Sequence, residues 1–546
     1  MSNIFNSISA RRPKKNVFDL SHEVKMSSHM AQLTPCLCME VVPGDKFRVN
    51  TQSFVRMAPM LAPVMHRLDV HVHYFFVPNR LVWSDWESFI TGGETGTSAP
   101  VFPRFRPTSL NSFRQVFTPG TLGDYLGVGS GEVSNDFVPN EYSDVSLLPF
   151  RAYQLIYNEY YRDQNLVAPV EIPRDGGIKT SEFSSLGLRN RSWEKDYFTS
   201  ALPWAQRGPQ ATLPVGTVSE KRVLYDTLAG ESVSGKIVDS ASVGIDATNT
   251  PLYTGLKENT VPERYNLTLT DSEGTNIRSA ASYDPNGTLY VEGQDIGAVT
   301  INELRRANKL QIWLEKNARG GGRYIESILN HFGVRSPDAR LQRPEFLGGG
   351  KTPIVISEVL QTSSTDENSP QANMAGHGLA AMASNGFKYT AVEHGYIIGI
   401  VSILPRTSYQ NGLPRHFRKF DKFDFFWPEF AHLGEQPIYN SEIYWRLANR
   451  NESNDATFGY TPRYAEYKYM QGRVAGDFKT SLDFWHLGRI FDPDDQGAPD
   501  LNEDFVEAQP INRIFADTSF THKYWMQIHQ SIRAIRPMPK YGTPTI

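Results

Sequence analysis

Strict alternation of polar and apolar side chains along "KFRVNTQSFVRM", residues 46–57, is the feature that most constrains the fold of this chain. Successive side chains of a β-strand point to opposite faces of a sheet, so the pattern predicts a half-buried strand. The next segment, "RLDVHVHYFFVP", repeats the alternation. It places one set of side chains in a core: Val70, Val72, Tyr74 and Phe76. His71 and His73 fall on the opposite face, where we expect solvent or an interface.

Further segments predict a mainly β chain with a few helices. Strand patterns occur at 353–362, 396–405 and 422–430. Helix patterns are "SDWESFITGG", with Ser84 as N-cap and Gly92 as stop, "PFRAYQLIYNEYYRDQNL", with Pro149 opening it, and "RYIESILNHFG", ended by Gly333. The order of elements does not alternate strand and helix, so it favours an antiparallel β-sandwich interrupted by long excursions over a doubly wound fold.

The segment "TINELRRANKLQIWLEKNARGGG" is the clearest helix pattern in the chain. Thr300 and Glu303 have the spacing of a capping box, in which each side chain bonds the other residue's backbone N–H. Four side chains recur at helical spacing and predict one apolar face: Leu304, Ala307, Leu310 and Leu314.

Length and composition exclude several classes of protein. The 546 residues carry a net charge of −4, so the chain as a whole is not a nucleic-acid-binding polycation. Its two cysteines, Cys36 and Cys38, are too close in sequence for a disulfide framework, which predicts folding in a reducing compartment. No apolar run is long enough for a membrane span, and the first residues lack the pattern of a secretory signal.

Composition also suggests boundaries. Residues 1–45 are predicted to form an N-terminal arm, and residues 46–546 a domain interrupted at 215–298 by a β-rich surface insertion. The arm contains one basic cluster: Arg11, Arg12, Lys14 and Lys15. Two interpretations stay open for this cluster, a solvated tail and a contact with nucleic-acid phosphates.

Metal sites are weakly indicated. The pair His71 and His73 lacks a recognisable third ligand, which a zinc site needs. The stretch "DPDDQGAPDLNE" has the spacing of a calcium loop. Its candidate ligands are Asp492, Asp494, Gln496, Asp500 and Glu503. Gln496 and the two prolines of the stretch depart from that pattern, so a solvated acidic turn is the favoured interpretation.

No catalytic motif emerges from the sequence. It contains no nucleophile elbow, no HExxH, no CxxC and no complete GxGxxG. The absence of such motifs from so long a chain favours a structural role, and no cofactor is indicated.

Several long blocks carry a resemblance to a known family. They include "HVHYFFVPNRLVW", "LPFRAYQLIYNEYYRDQNL", "RSWEKDYFTSALPWAQRG", "GGRYIESILNHFGV", "FGYTPRYAEYKY" and "EHGYIIGIVSILPRTSYQNGLPRHFRKFDKFDFFWPEFAHLGEQPI". In sequence and in order they resemble the major capsid proteins of microviruses, the small icosahedral phages with single-stranded DNA, and specifically the gokushovirus branch. The resemblance runs from about residue 15 to the C-terminus.

The resemblance implies a fold and a role. It implies an eight-stranded antiparallel viral jelly roll with long interstrand insertions that contain a few helices. It implies a structural protein, not an enzyme, that assembles in the bacterial host cytoplasm into a T=1 icosahedral virion shell around circular single-stranded DNA. The insertion at 215–298 would form protrusions at the threefold axes with a role in host attachment. Implied partners are further copies of the chain, the DNA, a small basic DNA-packaging protein, a DNA pilot protein, a scaffolding protein and a host surface receptor.

Two rival interpretations remain at this point. One is a carbohydrate-active or cupin-like β enzyme, which would need a carboxylate pair or a histidine cluster in one cavity. The other is a host-attachment spike built from a small oligomer without a shell. The sequence identifies neither the host nor the residues that would bind a receptor.

Overall fold

A computed structural model describes most of the chain, and the statements below apply to that part. The described residues are 14–129, 144–181, 186–209, 300–360, 374–445, 454–491, 499–517, 519 and 521–541, with the backbone of short strands between 218 and 294. The chain divides into two compact units, one of residues 1–209 with 312–546 and the other of residues 210–311.

Strands dominate the described residues. In chain order they are β1 (Asn16–Asp19), β2 (His22–Ser28), β3 (Thr34–Val41), β4 (Lys46–Met57), β5 (Leu68–Pro78), β6 (Arg104–Phe105), β7 (Val145–Ser146), β8 (Ile178–Lys179), β9 (Val218–Arg222), β10 (Tyr253–Glu258), β11 (Tyr265–Thr270), β12 (Asn276–Ile277), β13 (Ser282–Tyr283), β14 (Tyr290–Gln294), β15 (Glu345–Pro353), β16 (Val355–Leu360), β17 (Met374–Thr390), β18 (Gly395–Pro405), β19 (Ser408–Tyr409), β20 (Glu435–Tyr439), β21 (Thr457–Pro462), β22 (Gly472–Arg473) and β23 (Tyr524–Arg536).

The helices are fewer and mostly short. They are α1 (Asn79–Val82), α2 (Trp86–Thr91), α3 (Leu110–Phe117), α4 (Leu122–Leu126), α5 (Leu148–Ile156), α6 (Ile301–Gly320), α7 (Tyr324–Phe332), α8 (Asn440–Ile443) and α9 (Glu503–Val506). A π-helical turn, Tyr157–Tyr161, continues α5. None of the helices within the described residues is both long and apolar enough to cross a membrane.

Two antiparallel sheets organise the larger unit. The first sheet has the order β1-β23-β4-β17-β16, with β2 also paired to β23, and the second has the order β15-β5-β18-β3. The mainly β, antiparallel prediction is confirmed at this level. The smaller unit contains the antiparallel pair β9-β14 and a sheet in which β11 pairs with β10, β12 and β13.

The main hydrophobic core lies between the two sheets. It takes buried side chains from β4 and β23 of the first sheet and from β5 and β18 of the second. The side chains predicted from alternation along β5 belong to it: Val70, Val72, Tyr74 and Phe76. That part of the sequence prediction is confirmed.

A second core covers the other face of the second sheet. The helix α5 and the turn after it pack there, and Tyr153, Ile156 and Tyr157 join Phe75 and Ile398 in one buried cluster. The second sheet is therefore buried on both faces, whereas the polar side chains of β4 point away from the main core.

A buried polar network joins the two sheets across the main core. Gln530 Oε1 on β23 accepts hydrogen bonds from the Thr51 hydroxyl on β4 at 2.8 Å and from the Tyr74 hydroxyl on β5 at 3.0 Å. The Thr51 and Tyr74 hydroxyls also contact each other, and Gln530 Nε2 lies 3.7 Å from Cys36 Sγ on β3. Because buried polar groups are costly unless paired, this network fixes how β4, β5 and β23 face one another.

Most of the helix starts and stops predicted from the sequence are present in the structure. The Thr300 and Glu303 capping box is present, with Thr300 N donating to Glu303 Oε2 at 3.0 Å and Glu303 N donating to Thr300 Oγ1 at 3.2 Å. Gly92 and Gly333 end α2 and α7 in the left-handed conformation, which glycine adopts without a steric penalty. Pro149 lies in the first turn of α5, where its missing N–H costs nothing.

Four local predictions are wrong. The N-cap of α2 is Asp85 and not Ser84, and it makes no side-chain cap. The α-helix predicted from Pro149 to residue 166 ends at Ile156. The predicted apolar face of α6 is mostly exposed: Leu304 and Leu310 are about half exposed, while Leu314 is buried. The predicted strand at 422–430 is a run of 3-10 turns, for reasons given below.

The segment assigned to an N-terminal arm contains three strands. Asn16–Asp19 and His22–Ser28 pair with β23, and Thr34–Val41 pairs with β18. These partners lie hundreds of residues away in sequence. The short polar pieces of this segment therefore become strands through tertiary pairing, which local pattern does not reveal.

We expect Tyr74→Phe to destabilise the fold by about 1–2 kcal/mol, because the substitution removes one hydroxyl from a buried network and leaves its partners underbonded. The measurement is urea denaturation of the unassembled chain. Tyr324→Phe is the matched control, since Tyr324 is 73% exposed and its loss should change stability by less than about 0.5 kcal/mol. Equal effects of the two substitutions would contradict a stabilising role for the network.

Candidate assembly surface

The largest run of exposed aromatic side chains lies in the loop that connects β19 to β20. Within residues 415–430 it forms three 3-10 turns, Arg415–Arg418, Lys422–Asp424 and Pro428–Phe430. Its exposed aromatic side chains are Phe417, Phe420, Phe423, Phe425, Phe426 and Trp427. We call residues 415–430 the aromatic loop. Phe420 is 88% exposed, so nearly all of its apolar surface is in contact with water, which is energetically unfavourable.

A second segment extends this surface. The ring of Phe426 lies 4.9 Å from that of Tyr464 and 6.3 Å from that of Tyr467, and Phe426 N donates to Tyr467 Oη at 3.3 Å. Met470, 92% exposed, follows in the same segment. The aromatic loop thus packs against residues 464–470 at Phe426.

Local hydrogen bonds explain why the loop is not a strand. The Asp424 carboxylate accepts from the backbone N–H groups of Asp421 and Phe420, both at 2.9 Å. These bonds hold the pKa of Asp424 below its usual range and fold the backbone into a tight turn. Pro428 then starts the next turn and cannot donate to a strand ladder. The sequence signal that could have shown this was aromatic residues at consecutive positions, with no alternation.

Three of the four lysine and arginine side chains within residues 415–430 are paired with carboxylates of the described chain, and the fourth, Lys422, has its Nζ 5.0 Å from the centre of the Phe423 ring. Arg415 Nη1 lies 3.3 Å from Glu442 Oε1, Lys419 Nζ lies 3.2 Å from Glu466 Oε1, and Arg418 contacts Asp455. Since these charges have partners, the surface offers apolar area more than free positive charge. Large exposed apolar patches of this kind mark protein–protein contact sites.

The predicted basic cluster is only partly described. Arg11 and Arg12 lie outside the described residues. Lys14 and Lys15 are exposed, and Lys15 Nζ donates to the Gly44 carbonyl at 2.8 Å, two residues before β4 begins. The described half of the cluster therefore lies at one end of the first sheet.

The predicted calcium residues are likewise only partly described. Asp492, Asp494 and Gln496 lie outside the described residues. Asp500 and Glu503 are exposed, and Glu503 opens α9 behind the cap that Asn502 provides. Within the described part of the chain, no three His, Cys, Asp or Glu side chains gather as metal ligands.

The histidine pair faces the protein interior. His71 is 5% exposed, and its Nε2 lies 3.7 Å from Glu194 Oε1. His73 Nδ1 lies 2.9 Å from the Tyr161 hydroxyl, in the turn after α5. The expectation that this face meets solvent or another protein is wrong, because Tyr161, in the turn after α5, lies against His73, and Glu194 lies against His71.

Burial perturbs both histidines. Burial is the main cause that lowers the pKa of His73 to about 4 and the pKa of His71 to about 3. The nearby Arg191 guanidinium lowers both pKa values further. Both rings are therefore neutral at physiological pH, and their contacts are those of uncharged imidazoles.

Comparison with known proteins gives one consistent picture. The family model described as "Capsid protein (F protein)" matches residues 6–546. "Capsid protein VP1" of Chlamydia phage 1 is 34% identical, covering 100% of this chain and 98% of its own length. "Capsid protein VP1" of Bdellovibrio phage phiMH2K is 34% identical with 99% and 97% covered, and that of Spiroplasma virus 4 is 28% identical with 99% and 97% covered. The resemblance predicted from the sequence blocks is confirmed.

Acidification should destabilise the fold between about pH 6.5 and pH 4, since the unfolded chain binds protons at His71 and His73 that the folded chain does not. Stability from this source is complete above pH 6.5 and falls as the pH falls. His73→Gln should reduce the slope of unfolding free energy against pH by up to about 1.4 kcal/mol per unit. Denaturation at several pH values measures it, with the exposed His22→Gln as control; an unchanged slope in His73→Gln would contradict the assignment.

Proposed function

Because this chain belongs to the Capsid protein (F protein) family of phages, we propose that it is the major capsid protein of a gokushovirus-type virion and builds a T=1 icosahedral shell around circular single-stranded DNA. Family membership establishes a structural capsid protein of a multi-subunit shell, and not an enzyme. The family match over nearly the whole chain carries the proposal.

The strand order supports a viral jelly roll. Eight strands, β2, β3, β4, β5, β15, β17, β18 and β23, supply two four-stranded layers with the orders β2-β23-β4-β17 and β3-β18-β5-β15. Strands successive in the chain alternate between the two layers, except that β5 and β15 are neighbours in one layer. Such alternation is the pattern of two Greek keys wound into a jelly roll. β1 and β16 extend the first layer.

Two long connections interrupt this series of strands. Residues 79–344 separate β5 from β15, and residues 406–523 separate β18 from β23. The insertion proposed at 215–298 lies inside the first connection, within the separate compact unit of residues 210–311. We assign it to a threefold protrusion with a role in host attachment.

The remaining partners follow from charge and from assembly. With a net charge of −4, the subunit cannot neutralise a packed genome alone, so a small basic packaging protein is part of the proposal. A pilot protein, a scaffolding protein during assembly in the host cytoplasm, and a host surface receptor complete it.

The aromatic loop is the surface that we assign to contacts between subunits. Full burial of each of its phenylalanine side chains at a subunit contact contributes about 1.5–3 kcal/mol of favourable free energy. Three of its four lysine and arginine side chains are paired with carboxylates of the chain, which favours a protein neighbour over a polyanion. If the protein were instead a host-attachment spike, the same loop would form subunit contacts only within a small oligomer.

Phe420→Ser should suppress shell formation in the chain coproduced with the other structural proteins of its phage. The loss of about 2 kcal/mol at each contact raises the protein concentration needed for assembly more than tenfold. Sedimentation and electron microscopy of the products measure this, with circular dichroism to verify the fold.

Phe332→Ser on α7 is the matched control, because Phe332 is 79% exposed and lies outside the aromatic loop. Shells from the control and none from Phe420→Ser are the expected result. Shells from both variants would remove the loop from the interface, and small oligomers from the unchanged chain would favour the attachment spike.

A further inference from the structure

Three cations stand side by side on the first sheet. In the strand register, Arg48 of β4 lies directly opposite Lys388 of β17 on one side and Arg533 of β23 on the other. Lys46 precedes Arg48 by two residues and lies on the same face of β4. We call Lys46, Arg48, Lys388 and Arg533 the cationic face.

The cationic face points away from the main core. All four side chains are exposed, whereas their strand neighbours Phe47, Phe387 and Ala534 are buried between the sheets. An open depression on the surface is lined by all four cations together with Val17 and Tyr389. A ligand could therefore reach the four charges together without any rearrangement of the sheet.

Few negative charges offset these cations. Among the described residues, no carboxylate forms an ion pair with any of the four, while other cations of the chain, such as Arg80 with Glu393 and Arg106 with Asp144, do have such partners. Asp19 lies opposite Arg533 in the register, and hydrogen bonds from Ser21, with a smaller contribution from the Arg533 charge, lower the pKa of its carboxyl. Its negative charge therefore offsets part of one of the four positive charges.

Like charges directly opposite one another destabilise a sheet. The row of Arg533, Arg48 and Lys388 therefore carries an energetic cost in the free subunit, which Asp19 offsets only in part, at the Arg533 end. A bound polyanion would relieve the repulsion and turn the row into a binding site. Such binding is largely independent of base sequence and depends on salt.

Two aromatic side chains further along the same face of the first sheet, six or more residues from Arg48 along β4, suit single-stranded nucleic acid. Phe54 lies further along the same face of β4, half-buried, with the Arg56 guanidinium 5.2 Å from its ring centre. Trp525 is opposite Arg56 in the register. Aromatic rings beside cations are what single-stranded nucleic acids use for base stacking.

We propose that the cationic face binds the phosphate backbone of packaged single-stranded DNA, so that the outer face of the first sheet forms part of the inner wall of the shell. The proposal rests on the proposed function for its ligand. It adds a site to the one predicted at the basic arm, and Lys15, held at Gly44, lies beside the Lys46 end of β4. An acidic surface of a second copy is the competing occupant.

The test uses the unassembled chain and a fluorescent oligothymidylate of about 30 nucleotides, with affinity measured by anisotropy between about 50 and 200 mM salt. The triple variant Arg48→Gln, Lys388→Gln, Arg533→Gln should bind more weakly, and its plot of log affinity against log salt should be shallower by about 2, or 0.7 for each lost phosphate contact. The single variant Arg48→Gln should lose about 0.7.

The control removes the same charge elsewhere. Arg305, Arg306 and Lys309 are exposed on α6, and their triple change to Gln should leave the salt slope within error of the unchanged chain. Thermal unfolding without DNA is a second readout. The cationic-face variant should unfold at the same or a higher temperature, because repulsion in the row is removed.

Three results would overturn the proposal: no binding by the unchanged chain, equal slopes for the two triple variants, or normal DNA binding with failed assembly in the cationic-face variant. The last result would assign the face to a second copy. Shell formation by the unchanged chain is scored separately, so failure of the capsid proposal and failure of the DNA site give different outcomes.

Discussion

The alternation of side chains along β4 and β23 is the constraint on which the described surfaces depend. Phe47, Val49 and Ile528 are buried against the second sheet. Because side chains alternate along a strand, the residues between them on the same strands must point to the opposite face. The Thr51, Tyr74 and Gln530 network then holds the two sheets in one register, because a slip would leave its buried polar groups unpaired. The cations of the first sheet point outward as a direct result.

The two sheets differ in what covers their outer sides. Helix α5 and the turn after it cover the far side of the second sheet in a second core, and Tyr161 of that turn contacts His73. The first sheet keeps Arg48 and its neighbouring cations exposed on its far side. Within the part of the chain that the structure describes, the far side of the second sheet is therefore covered by the chain itself, and that of the first sheet is exposed at these cations. The aromatic loop supplies a third kind of surface, which is apolar and in which three of the four lysine and arginine side chains are paired with carboxylates of the chain.

Sequence alone predicted the parts that depend on local pattern. β4, β5 and β18 follow from alternation or from continuous apolar runs, and the ends of α2 and α7 follow from Gly92 and Gly333. Strands that depend on distant partners were missed, as in residues 16–41. The histidine face was misjudged because residues far along the chain, Tyr161 at His73 and Glu194 at His71, lie against it. The cationic face was missed because its members come from three strands far apart in sequence, and only the register brings Arg48, Lys388 and Arg533 together.

Cryo-electron microscopy of assembled particles tests the central claim most directly, because it places both surfaces in the shell at once. The account predicts a closed shell in which the outer face of the first sheet lines the interior, with nucleic-acid density at Arg48 and Arg533 and the aromatic loop buried between subunits. A shell with the cationic face on its exterior or beneath another copy, or with Phe420 open to solvent, would contradict it.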